Sequence, residues 1–135
     1  MRDAQQAASA YRQTEVQSRT PLELVVMLYD GALRFVAQAR DAIARKDIRA
    51  RREAISRAMA IMSELQSTLD MDKGGVISEK LDSLYVYING RLIDASSRQD
   101  ARPLDEAARL MTTLRDSWAE AARETAATAP GRVTR

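Results

Sequence analysis

The 135-residue sequence contains no cysteine and no histidine. The first absence removes disulfides and thiolate chemistry and fits a reducing compartment. The second removes the commonest general base, the commonest metal ligand and the Glu-x-x-His pairs of di-iron bundles. Aromatics are scarce, at four Tyr, one Phe and one Trp, and helix breakers are too, at five Gly and three Pro. Val and Ile never alternate with polar residues over a strand's length. No apolar run reaches the ~18 residues of a membrane span, and the first residues lack the apolar core of a signal peptide. Charge of one sign is missing as well, since 21 basic and 19 acidic residues leave a net +2. That is too near balance to imply a polyanion partner. The expectation is an all-α cytoplasmic protein with no metal or cofactor and no membrane insertion.

What is abundant is apolar surface on one stretch, Leu22 to Ala39. At about 100° per residue, Leu22, Val25, Val26, Tyr29, Ala32, Leu33, Val36, Ala39 and Ile43 share one face of a helix. Leu24, Leu28, Gly31 and Phe35 add a second apolar strip, so the covered arc approaches roughly 200°, far wider than an ordinary amphipathic helix. Glu23, Met27, Asp30, Arg34, Gln38 and Asp41 are left for solvent. Such a helix is either central in its own domain or built to be covered by something else. Gly31 keeps both readings open: its missing side chain lets a neighbouring helix come close, or opens a groove for a partner.

Residues 1–19 are polar and weakly patterned and read as a flexible N-terminal arm. Thr20-Pro21-Leu22-Glu23 then carries a capping box with Pro at the first helical position. The periodicity predicts helices at about 21–45, 48–69, 76–97 and 103–124, forming a bundle over 20–125 with a disordered tail over 126–135. Asp47 caps the second helix, and Asp70 to Gly75 reads as a loop because paired glycines are strong punctuation. Pro103 opens the fourth helix. Four such helices with short links pack most simply as an antiparallel up-down-up-down four-helix bundle. Arg45, Lys46, Arg49, Arg51, Arg52, Arg98 and Arg102 gather at one end of it, and Asp70 and Asp72 at the other.

Little catalytic chemistry is on offer. The close carboxylates, Asp70/Asp72 and Asp105/Glu106, sit at loops or helix starts, where capping is their ordinary role. Met27, Met59, Met62 and Met111 read as core filler. Gly74-Gly75 lacks the pattern of a phosphate loop. The basic group from Arg40 to Arg57 has no interleaved aromatics for a nucleic acid to stack on. It reads as a solvated face, or as a surface for an acidic protein. The strips Leu24/Leu28/Gly31/Phe35 and Val86/Gly90/Ile93 suit helix-in-groove recognition. Self-association of a structural bundle would close them equally well.

Several stretches carry a resemblance. Ala10-Tyr11-Arg12-Gln13, Val16, and Thr20 to Phe35 with its run MLYDGALRF come first. Glu64 to Asp70, Gly74-Gly75, Leu84-Tyr85-Val86-Tyr87, Arg91-Leu92-Ile93 and Leu114 to Trp118 follow. Together they resemble the FliS family of flagellin export chaperones over about Tyr11 to Ala122. The resemblance implies a non-enzymatic four-helix bundle that binds the C-terminal segment of flagellin in the cytoplasm, prevents early polymerisation and presents it to the flagellar type III export gate. It leaves room for other flagellar regulators as partners. It implies that the arm, with Tyr11 and Val16, lies over part of the apolar surface. The groove is expected at Leu24, Leu28, Gly31 and Phe35, with Leu65, Leu69, Ile77 and Leu81 near the long link. Ser96 and Asn89-Gly90 depart from the family pattern at the end of the third helix.

Overall fold

Each junction of the chain is fixed by a short polar device. In the computed structural model, which describes residues 19–128, the Thr20 hydroxyl accepts from the Glu23 amide and the Glu23 carboxylate accepts from the Thr20 amide, both at 3.2 Å. With Pro21 in the first turn, this opens α1 (Pro21–Arg45). Lys46 adopts a left-handed conformation that ends α1, and Asp47 caps the Ala50 amide at 3.0 Å to start α2 (Ile48–Ser67). Asp70 accepts from the amides of Asp72 and Lys73 and begins α3 (Met71–Arg98). Gln99 is left-handed at its end, and α4 (Arg102–Thr128) follows. Among the described residues there are four helices and no strand.

Three boundaries differ from the periodicity. The second helix, expected to reach 69, stops at Ser67, where Ser67 and Thr68 turn their hydroxyls back onto the carbonyls of Glu64 and Leu65. The third was expected from 76, but Asp70 caps one earlier turn, Met71 to Gly74, before Gly75 breaks the helix at φ 52°. The expected loop is therefore a capped turn and a kink. The fourth continues to Thr128, so residues 126–128 of the expected tail are helical; the alanines there favour it. Of the arm expected over 1–19, only Arg19 falls within the described residues, and Tyr11 and Val16 lie outside them.

Each helix packs on its neighbours in sequence, and α1 closes the ring against α4, giving the antiparallel four-helix bundle. The core runs along its length: Tyr29, Ala32, Val36 and Ala39 from α1 meet Ile55, Ala58, Met62 and Leu65 from α2. Tyr85, Ile88, Leu92 and Ala95 from α3 and Leu104, Ala107 and Met111 from α4 complete it. Met62 and Met111 are core filler as expected, whereas Met27 and Met59 are only half-buried. Arg40–Asp105 at 2.7 Å and Asp30–Arg115 at 2.8 Å clamp α1 to α4. Asp30, expected to face solvent, instead holds this contact.

A candidate binding cavity at one end of the bundle

At the end where α1 begins, the four helices leave a cavity of about 540 Å³. Leu22, Leu24, Val25 and Leu28 from α1 form one wall, and Leu65 with Leu69 the next. Ile77 and Leu81 from α3 stand opposite, and Tyr85 and Trp118 complete the lining. Leu65 is buried, Leu24, Leu28, Leu69 and Leu81 are partly exposed, and Ile77 is 71% exposed. Glu64, Thr68, Asp70 and Ser78 supply the polar part of the lining.

The kink in α3 shapes this mouth. Ser78 is buried and donates to the Asp70 carbonyl at 3.0 Å, folding the Met71–Gly74 turn over the helix that follows. A Cβ on Gly74 would stand 1.7 Å from the Ser78 Oγ, so a glycine is required there. Beside the cavity lies a buried polar pair, the hydroxyls of Tyr29 and Tyr85 hydrogen-bonded at 2.6 Å. Burial first, and then the contact with Tyr85, push the Tyr29 phenol well above its usual range. Burial raises Tyr85 as well, partly offset by its hydrogen bond to Tyr29. The pair remains neutral and keeps the cavity's inner end uncharged.

Of the positions singled out in the sequence, the fold brings together Leu24, Leu28, Leu65, Leu69, Ile77 and Leu81 around this cavity. Gly31 and Phe35 lie elsewhere. Gly31 is buried, and a Cβ on it would come within 3.3 Å of the Ile61 Cδ1 on α2. At that point α2 packs closely on α1. Phe35 faces the α1–α2 seam with the Arg57 guanidinium 5.8 Å from its ring centre. The second apolar strip of α1 therefore splits: its first half lines the cavity, its second half packs on α2. Tyr85 and Trp118 join the site without having been singled out for it, because periodicity alone gives no signal that the bundle opens at one end.

The cavity offers mainly apolar area, with Glu64, Thr68, Asp70 and Ser78 as its polar groups. No cluster of three acidic side chains able to hold a metal forms among the described residues. No helix among them is long and apolar enough to cross a membrane.

Comparison with known proteins gives the family. The model of the family described as flagellar protein FliS matches residues 4–125. The chain belongs to the FliS family. It is 36% identical over 114 residues to the flagellar secretion chaperone FliS of Salmonella typhimurium, covering 81% of this chain and 84% of that one. The Bacillus subtilis protein of the same name is 34% identical over 113 residues, 84% of each chain. The flagellar secretion chaperone FliSB of Pseudomonas aeruginosa is 32% identical over 119 residues, 85% of this chain and 94% of that one. These relatives are named for a chaperone role.

Proposed function

We propose that this FliS-family chain is a cytoplasmic, non-enzymatic export chaperone that holds the C-terminal segment of flagellin, keeps it from polymerising and hands it to the flagellar type III export gate. The observation that carries the reading is the apolar cavity, about 540 Å³, assembled from α1, α2 and α3 around Leu28, Leu65 and Leu81. A segment that is disordered when free can fold onto such a surface, meeting its ordering cost only on binding. Leu24, Leu69 and Ile77 widen the contact, while Gly31 and Phe35 would act from behind, by setting the spacing of α1 and α2.

Calorimetric titration with a C-terminal flagellin peptide of about 50 residues tests this; one-to-one binding with a clearly negative heat-capacity change is expected. Leu28→Asp and Leu81→Asp should each weaken binding about tenfold or more, since each places a charge against apolar cargo, while far-UV helicity stays the same. Equal binding by both variants would reject the cavity as the flagellin site.

A further inference from the structure

Arg51 is the one charged side chain that the fold buries among the described residues, at 5% exposure. Its side chain donates no hydrogen bond to a described residue and forms no ion pair with one, and its Nε is sealed from solvent without an acceptor. That sealed nitrogen is uncompensated in the free bundle, so the side chain contributes little to its stability. It does make a ready-made receptor for a carboxylate, which it can grip with two parallel hydrogen bonds.

The cleft that Arg51 lines measures about 640 Å³ and lies between the start of α2 and the end of α3. Ile55, Met59 and Ile93 give it apolar walls, and no acidic residue is among its described lining. Arg52 stands beside Arg51, and neither it, Arg49 nor Lys46 has an ion pair among the described residues, whereas Arg45, Arg57 and Arg102 are already matched to Asp41, Glu53 and Asp100. From the cleft, the apolar surface continues along the outside of α3. Ile93 is 52% and Val86 58% exposed, and the position beside Gly90 is open space.

We propose that this cleft docks an acidic amphipathic segment of a partner protein other than the cargo, with a carboxylate on Arg51 and apolar side chains against Ile55, Met59 and Ile93. Charge complementarity selects that occupant. A second copy of the chain would bring the same cations face to face, since a two-fold contact pairs a patch with itself. A nucleic acid would meet apolar walls and no aromatic ring to stack on. The cargo cavity lies elsewhere: Leu65 and Arg51 are separated along α2 by roughly 21 Å. Its lining includes Glu64 and Asp70, so the two surfaces favour opposite charges.

The test is fluorescence anisotropy of the full chain with a labelled acidic peptide, acetyl-Glu-Leu-Leu-Glu-Ala-Leu-Glu-Glu-amide, and its counterpart with glutamine for glutamate. The acidic peptide should saturate below about 1 mM, weaken as salt rises, and outbind the neutral one about tenfold or more. Arg51→Gln should weaken it about tenfold, with Arg51→Lys in between because an ammonium cannot grip a carboxylate with two parallel bonds. Arg51→Met should weaken binding at least as much as Arg51→Gln yet raise Tm by about 1–3 °C, since it removes the sealed, unpaired Nε. A purely structural arginine would not separate stability from binding in this way. Equal binding by Arg51→Gln or by the neutral peptide, or a fall in Tm for Arg51→Met, would overturn the proposal. So would displacement of the peptide by the flagellin segment, by single-stranded RNA, or by a dimer that Ile93→Glu dissociates.

Discussion

Inside an otherwise apolar stretch of core, Tyr29 and Tyr85 face each other with ring centres 6.5 Å apart and tie α1 to α3 through one hydrogen bond. Removing the Tyr29 hydroxyl strands that of Tyr85, whereas Tyr29 keeps Trp118 as a second partner, so Tyr29→Phe should cost about 1–2 kcal/mol in urea unfolding and Tyr85→Phe less. The double replacement should cost clearly less than the sum, and a double-mutant cycle measures the difference. Both phenols titrate above their usual 10.0 in the folded protein. For an acid whose folded value is raised, stability is complete below the unfolded value and is lost as pH climbs past it. Thermal unfolding should therefore hold steady up to about pH 10 and fall above it, with the fall reduced in the double Phe variant. At this same scale the sequence reaches its limit. Spacing places Gly31 in the second apolar strip of α1, but only the rotation of α2 sets Ile61 opposite it.

At the scale of the element, α1 was the most legible part of the chain. Its capping box, its Pro at the first turn and its long apolar stripe all point one way, and the structure starts it at Pro21 and ends it at Arg45. α3 was the least legible. Gly74-Gly75 reads as a loop because glycine is the strongest local punctuator, yet Asp70 supplies a cap strong enough to wind a turn before the break. That turn depends on one close approach. Gly74→Ala should push Ser78 off the Asp70 carbonyl and cost about 1–2 kcal/mol. Trp118 lines the same cavity and is the sole tryptophan. Its emission should shift in Gly74→Ala while far-UV helicity changes little; an unchanged spectrum with unchanged stability would show that the turn does not shape the cavity.

For the whole molecule, the ring of four antiparallel helices could be read from helix number, length and short links, because few other packings satisfy all three. The openings between the helices could not. They depend on where a helix stops short, as α2 does at Ser67, and on which charges find partners. Arg45 and Arg51 look alike in sequence, but one is matched to Asp41 and the other is buried alone. The end-to-end separation of charge has a measurable consequence. Raising ionic strength from about 0.05 to about 0.3 M should leave the flagellin titration nearly unchanged if the proposed apolar cavity holds it, and should markedly weaken acidic-peptide binding at Arg51. Loss of the flagellin complex at high salt would mean that charge, not apolar area, holds the cargo.

The break at Gly75 gives α3 two different lifetimes. The turn from Met71 to Gly74 is held by the Asp70 cap, the Gly74 amide on the Asp70 carbonyl and the Ser78 hydroxyl beside it. It can open without disturbing the rod that follows, whereas Tyr85, Ile88 and Leu92 are locked in the core. Amide hydrogens of the turn should exchange by a local opening, and those of the rod only when the bundle unfolds. A guest entering there can remould the doorway at the expense of a single turn, leaving the walls of the house as they were.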